Sequence, residues 1–262
     1  MNAQAAPLLL RARDVSVRLG GTLAVEQAEL TLRAGELVAL VGPNGAGKTT
    51  LIRALAGLVP ATGEIMLGER RLPAMDNRER ARAVAYLPQG HVFHWPMQVA
   101  AIVALGRHPH MDPFSTPAPQ DRAAVERAMQ RTAIEPFAHR PVTTLSGGER
   151  ARVALARALA TEAPILLADE PTASLDPRHQ LIVMDLLRRA AHDGGAVLAI
   201  LHDLTLAARF ADRVLVMDRG HIVADGAPAE ALSPQRVAQV FGVETMSVDT
   251  GEGIALIARH PL

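Results

Sequence analysis

The stretch ELVALVGPNGAGKTT, residues 36 to 50, leaves few folds open to this chain. The run ELVALVG is apolar on both faces, so a strand here must be buried on both sides, as strands of a parallel sheet are. A glycine-rich turn follows, then a helix from Lys48 to about Ala56. Buried-strand patterns recur in PILLADE and AVLAILHD, with the helical HQLIVMDLLRRAAHDG between them. Strands alternating with helices predict an α/β fold with a mostly parallel sheet. LLLRARDVSVRL and LAVEQAELTLRAGELVALVG read as short strands, turning at Gly20, Gly21 and Gly35. Residues 64 to 90 read as strand text ending in AVAYLPQ, and the proline-rich residues 108 to 120 as a loop. DRAAVERAMQRTAI reads as a helix with Ala124, Val125, Ala128, Met129 and Thr132 inward, and RVLVMDRGHIVADG as a hairpin turning at Arg219 and Gly220. With 262 residues, 49% of them hydrophobic, the chain suits one large domain, or one domain with an insert.

Residues 42 to 50 also fit G-x-x-x-x-G-K-[ST], in the strand-to-helix context that gives this motif its meaning. Gly42, Pro43, Asn44, Gly45, Ala46 and Gly47 let backbone N–H groups curl round phosphate oxygens, and Lys48, Thr49 and Thr50 open the helix whose positive end faces them. Lys48 would reach the β- and γ-phosphates, and Thr49 would place its hydroxyl on Mg²⁺. In ILLADE, four apolar residues push Asp169 to the carboxyl end of a strand, where ligands bind in open α/β sheets. Asp169 fits a Mg²⁺ ligand acting largely through water. Glu170 is placed to orient or deprotonate a water attacking the γ-phosphate. Gln89, ending YLPQ, could contact Mg²⁺ or water, and His202, ending AILH, could hydrogen-bond a γ-phosphate oxygen.

TLSGGERARVALARALA, residues 144 to 160, poses a different problem. Ser146 and Glu149 form a capping box at the start of an amphipathic helix. Yet Gly147 and Gly148 fill its first turn, where each costs about 1 kcal/mol against Ala.

The order of the P-loop, Gln89, LSGGE, ILLADE, SLD (174 to 176) and His202 resembles the nucleotide-binding subunit of an ABC transporter along nearly the whole chain. The resemblance implies a P-loop NTPase core of mostly parallel sheet, with an N-terminal antiparallel β part and an inserted helical subdomain. The single ABC ATPase domain would then divide into a nucleotide-binding core (1–90 and 161–240), the helical subdomain (91–160) and a C-terminal extension (241–262). It also implies a second copy bound head to tail, with ATP and Mg²⁺ between one P-loop and the other copy's Ser146, Gly147, Gly148 and Glu149. The glycines then leave the helix end bare for a γ-phosphate. Ser174 to Asp176 would touch the partner near its P-loop.

VALGRHPHMDPF and ILHDLTLAARFADRVLVMDRG resemble segments of subunits that energise import of iron chelates, cobalamin or haem. This implies multi-span permease subunits, a substrate-binding protein acting indirectly, and a peripheral place on the cytoplasmic face of the inner membrane. A coupling helix of the permease would dock after Gln89, on apolar residues such as Val92, Phe93, Trp95, Pro96 and Met97. Zinc, manganese or molybdate import, and soluble DNA-repair or ribosome-associated ATPases, are the alternatives. The latter usually carry coiled-coil inserts, a zinc hook or two copies. Here Lys plus Arg and Asp plus Glu both number 27, which gives no pull toward nucleic acid, and the chain has no cysteine. The start lacks the basic and apolar regions of a signal peptide, and no stretch nears the roughly 18 apolar residues of a span, so a soluble intracellular chain is expected. His91, His94, His108 and His110 crowd one region, but a proline-rich loop is a poor frame for a metal site.

Where such subunits commonly stack an aromatic ring on adenine, VSVRLGG offers Arg18 and Leu19. Stacking contributes about 1–3 kcal/mol per base at an aromatic ring. GTP should therefore be hydrolysed within about tenfold of ATP, tenfold being 1.4 kcal/mol. Leu19→Tyr should tighten ATP binding in a fluorescent-nucleotide competition. A strong wild-type preference for ATP that Leu19→Tyr leaves unchanged would show that another residue holds the base.

Overall fold

Two long strands, β1 (Leu8–Leu19) and β2 (Thr22–Arg33), pair antiparallel across a turn at Gly20 and Gly21. Their alternating Val15, Val17, Val25, Leu30 and Leu32 are buried, as period-two patterning requires. This is a computed structural model; it describes residues 6–90, 93–112, 116–249, 251 and 253–262, and of Asp249 only the backbone. The chain continues through β3 (Leu37–Val41), α1 (Lys48–Leu55), β4 (Thr62–Leu67), β5 (Arg70–Arg71), α2 (Asn77–Ala83) and β6 (Val84–Leu87). Next come α3 (Val99–Ala104), a 3₁₀ turn (Leu105–His110), α4 (Pro119–Arg131) and α5 (Gly147–Leu159). Then follow β7 (Ile165–Ala168), α6 (Pro177–His192), β8 (Ala196–Ile200), α7 (Leu204–Phe210) and the hairpin β9 (Arg213–Asp218) and β10 (His221–Gly226). The chain closes with α8 (Pro228–Ala231), α9 (Pro234–Phe241) and a second hairpin, β11 (Val243–Asp249) and β12 (Ile254–Pro261).

The main sheet has the order β10-β9-β3-β8-β7-β6 and is parallel except for β10 at one edge. A four-stranded antiparallel sheet, β2-β1-β4-β5, lies over one face. There Leu51 and Leu55 of α1 pack with Val38, Leu40 and Leu198. Leu155, Val183, Leu187 and Leu206, from α5, α6 and α7, cover the other face against Ala39, Val41 and Val197. A third cluster, around Val99, Val103, Met129, Ile134 and Val153, ties α3, α4 and α5 together. Among the described residues no helix is long and apolar enough to cross a membrane.

Two expectations need correction. Residues 64 to 90 are not strand throughout, because Asn77–Ala83 is helical. Its start is fixed by a reciprocal cap: the Glu79 N–H donates to Asp76 at 2.7 Å, and the Asp76 N–H donates to Glu79 at 2.9 Å. The helix buries no residue, so no apolar period announces it. Residues 108 to 120 are not loop throughout, because 108–110 end the 3₁₀ turn and 119–120 open α4. Gly106 lies so close to α5 that a Cβ would come within 2.2 Å of the Arg157 carbonyl oxygen. In α4, Ala124, Ala128, Met129 and Thr132 are buried as expected, while Val125 is half-buried.

Arg107 is buried beside this contact. It donates to Asp121 at 3.0 Å, to the Ala160 carbonyl at 2.8 Å and to Glu162 at 2.9 Å. The guanidinium holds the Asp121 carboxyl below its usual range. Removing one partner of a buried pair strands the other, at about 3–5 kcal/mol. Arg107→Ala should therefore lower Tm by roughly 6–20 °C for a chain of this size. Because the Asp121 pKa is depressed in the folded state, the contribution is present at neutral pH and lost as pH falls below about 4. The Tm gap between wild type and Arg107→Ala should accordingly narrow in acid, and calorimetry against pH reads both effects.

Candidate active site

In the sheet β3, β8, β7 and β6 are consecutive and parallel, so their carboxyl ends share one edge. Four sequence motifs leave those ends: residues 42–50, His202, Asp169 with Glu170, and Gln89. The glycine loop owes its path to close approach. Gly47 sits at φ 100°, and a Cβ there would lie 2.3 Å from the Ala24 carbonyl oxygen. At Gly42 a Cβ would meet the Met217 carbonyl oxygen at 2.1 Å. Gly47 is also the N-cap of α1 and offers no side-chain cap, so the first N–H groups of the helix stay available to an anion. Lys48 is buried, and its Nζ donates to the carbonyl oxygens of Gly42 at 2.7 Å and Pro43 at 2.9 Å. Burial pulls the Lys48 pKa below its usual value, while the Glu170 and Asp169 carboxylates push back.

The acidic pair is held from three strands and a helix. Asp169 is wholly buried. Its Oδ1 accepts from the Thr49 hydroxyl at 3.0 Å and its Oδ2 from the Tyr86 hydroxyl at 3.1 Å. Glu170 adopts φ 50°, a left-handed conformation that costs a residue with a Cβ about 1–3 kcal/mol. That turn faces its carboxylate to both neighbouring strand ends. Gln89 Nε2 lies 2.6 Å from Oε2, and His202 Nε2 lies 2.6 Å from Oε1. Thr49, Gln89, Asp169, Glu170 and His202, singled out along the sequence, are thus brought together here. Tyr86 and its own donor, Arg53 Nε at 3.3 Å, were not anticipated. The available signal was slight, a lone tyrosine three residues before Gln89.

Ser146 to Glu149 form the cap read from the sequence. The Ser146 N–H donates to Glu149 at 2.7 Å, and the Glu149 N–H donates to Ser146 Oγ at 3.3 Å. The two glycines differ. Gly147 is exposed, and a Cβ there would meet nothing within 4 Å. Gly148 is buried beneath His179, whose ring carbon lies 2.0 Å from where a Cβ would sit. His179 in turn contacts Asp176 through Nδ1 at 2.8 Å, and Asp176 caps α6 by accepting from the His179 N–H at 2.9 Å. Gly148 therefore joins the LSGGE turn to the SLD turn within one chain.

Leu19 is half exposed at the end of β1, and Arg18 is turned to the Gly21 carbonyl at 3.4 Å. Trp95 and Met97 are exposed, whereas Phe93 packs between the sheet and helical clusters. Val92 and His91 lie outside the described residues. His110 Nε2 contacts the Thr161 carbonyl at 2.8 Å.

A capless helix end behind a parallel strand, with an aspartate bonded to the loop threonine, defines a P-loop nucleoside triphosphatase. The chain belongs to the ABC transporter family, whose model matches residues 25–173. It is an ATP-binding, ATP-hydrolysing cassette of that family. It is 47% identical over 235 residues to the hemin import ATP-binding protein HmuV of Streptomyces coelicolor, covering 89% of this chain and 83% of that one. Against the cobalamin import ATP-binding protein BtuD of Halobacterium salinarum it is 41% identical over 257 residues, covering 97% of this chain and 64% of that longer relative. Among solved structures it is similar to one described as a metal-chelate type ABC transporter, in an inward-facing conformation. The TM-score is 0.83 at 25% identity, with 97% and 98% of the two chains covered. It is also similar to a dimeric ATP-binding cassette bound to ADP and Pi, at TM-score 0.71 and 26% identity, with 84% and 99% covered.

The two glycines should respond oppositely to the same added methyl group. Gly147→Ala should leave Tm unchanged or slightly raised, because the space is open and Ala favours helix by up to about 1 kcal/mol. Its ATP hydrolysis should fall at least tenfold. Gly148→Ala must displace the His179 ring, and overpacking of this kind costs about 1–3 kcal/mol, so its Tm should fall. Calorimetry paired with a phosphate-release assay separates the two.

Proposed function

We propose that this chain hydrolyses ATP to energise uptake of a metal chelate, haem or cobalamin through separate permease subunits, working from the cytoplasmic face of the cell membrane. The hydrolytic part of this reading is carried by the Glu170 carboxylate, which has Gln89 and His202 at 2.6 Å on either side. The cargo class is supported by the likeness to hemin and cobalamin import subunits.

The residues suit Mg²⁺: the Thr49 hydroxyl and Asp169 carboxylate are hard oxygen donors 3.0 Å apart. When bound, the ion neutralises charge developing between the β- and γ-phosphates. With its nitrogen on Glu170, the amide of Gln89 keeps its carbonyl oxygen for a cation or water. Residues Gly42 to Thr50 hold the phosphates by backbone N–H groups, and Lys48 exchanges its loop carbonyls for β- and γ-oxygens. Glu170 accepts a proton from the attacking water as its oxygen bonds to the γ-phosphorus and the bond from that phosphorus to the β,γ-bridging oxygen breaks, so that ADP leaves with the electron pair. His202 leaves Glu170 to donate to a γ-oxygen.

Ser146, Gly147, Gly148 and Glu149 would close the site of a second copy, so a head-to-tail dimer carries two ATP. The exposed Gly147 and the dimeric cassette among the similar structures support this. A groove of about 550 Å³ runs between the end of α1, α2 and the 3₁₀ turn, bordered by the exposed Leu58 and Leu105. The groove and, separately, the exposed Trp95 and Met97 offer apolar surface of the kind a permease coupling helix needs. A substrate-binding protein would act through the permease.

Glu170→Gln should retain nucleotide binding and lose at least a hundredfold in turnover, general-base catalysis contributing about 10²–10⁴. The unreacted ATP should then hold two copies together, seen as an Mg-ATP-dependent shift to dimer on size-exclusion chromatography. A variant that stays monomeric or turns over at the wild-type rate contradicts the reading. The cargo is tested by reconstituting the chain with its permease and measuring uptake of haem, cobalamin and a ferric siderophore.

A further inference from the structure

We propose that Tyr86 is a positioning residue for the Mg²⁺ site: its hydroxyl fixes the rotation of the Asp169 carboxylate so that Oδ1 stays beside Thr49. The inference rests on reading Asp169 as a group that holds Mg²⁺. Asp169 is fully buried, and the two side-chain hydroxyls on it take one oxygen each. Thr49 bonds Oδ1 at 3.0 Å. A threonine hydroxyl can donate its proton to Asp169 and still offer a lone pair to a cation, so that contact survives metal binding. On its own it leaves the carboxylate free to swivel about its Cβ–Cγ bond. Tyr86 bonds Oδ2 at 3.1 Å and removes that freedom.

The tyrosine has its own director. Arg53 Nε donates to the phenolic oxygen at 3.3 Å. A phenol carries one proton, so an oxygen that accepts from Arg53 must point that proton at Asp169. The chain Arg53 to Tyr86 to Asp169 therefore has one sense of donation. Backbone register supports it. Tyr86 pairs with Leu167 across the parallel β6–β7 ladder, and the Asp169 N–H donates to the Leu87 carbonyl at 2.8 Å. Two strands thus fix the phenol and the carboxylate relative to each other. Hydrogen bonds to a charged acceptor are about twice as strong as neutral ones, so losing this one should be measurable.

The test is Tyr86→Phe, which keeps the ring. Fluorescent-ADP titration gives affinity in EDTA and across a Mg²⁺ series, and steady-state kinetics gives kcat and KM. In EDTA the affinity should stay within about twofold of wild type. The Mg²⁺ concentration giving half of the affinity gain should rise about five- to tenfold, and kcat should fall more than KM changes, tenfold corresponding to 1.4 kcal/mol. Asp169→Asn should abolish the Mg²⁺ gain, and adding Tyr86→Phe to it should change nothing further, because the phenol acts through the carboxylate. Should Tyr86→Phe melt well below wild type, Arg53→Met carries the test, with a two- to fivefold rise expected. A wild-type Mg²⁺ response in Tyr86→Phe, with Asp169→Asn unresponsive, overturns the proposal. So does a fall in kcat, on adding Tyr86→Phe to Asp169→Asn, as large as Tyr86→Phe causes in the wild type. An Asp169→Asn protein that responds to Mg²⁺ like wild type overturns the underlying reading of Asp169, and the proposal with it.

Discussion

Leu37–Val41 lies between β8 and β9 with all five side chains out of water. Each buried aliphatic side chain contributes about 1.5–3 kcal/mol, so this short strand is a fixed post. Everything at the candidate site is measured from it. The glycine loop starts where the strand stops, and α1 runs back over the sheet on Leu51 and Leu55. The loop has no freedom to wander, because Gly42 abuts Met217 and Gly47 abuts Ala24. Backbone on backbone at both points leaves no room for even one methyl group.

The parallel ladder then does for the acidic pair what the post does for the loop. β7 sits between β8 and β6, so Glu170 has His202 at one hand and Gln89 at the other. A sheet holds such spacing better than a loop, since each end is fixed by hydrogen bonds running back through several residues. The left-handed backbone at Glu170 is a local cost at the point where two neighbours reach one carboxylate, His202 at Oε1 and Gln89 at Oε2.

The sequence made the strand ends readable because their signals are local. Four apolar residues before Asp169, or glycines before Lys48, state within a few positions what the backbone must do. What stayed hidden lacked such a local signal. α2 has arginines at 78, 80 and 82 and buries nothing, so it carries no period to read, and only its Asp76–Glu79 cap betrays it. The reason for Gly148 is a histidine ring brought in by α6, well down the chain. Nothing local marks Arg107, on which Asp121 of α4 and Ala160 and Glu162 just past the end of α5 converge. Tyr86 meets Asp169 only because β6 and β7 pair in one register, and a one-residue slip would turn the phenol to the opposite face.

β6 connects these two kinds of information. One face of Tyr86 borders the groove between α1, α2 and the 3₁₀ turn, while its hydroxyl reaches Asp169. Three residues on, Gln89 touches Glu170 at the exit toward α3. A body seated in the groove would therefore press on β6 along Val84 to Tyr86, and a nucleotide on the loop would act just beyond its end, at Gln89. Close-packed interiors pass on displacement instead of absorbing it, so a shift of the helical cluster relative to the sheet would be felt first at Gln89 and Tyr86. Coupling of this kind asks for no long chain of intermediaries. It asks for a strand too short to bend, with the groove at its side and both carboxylates within hydrogen-bond reach.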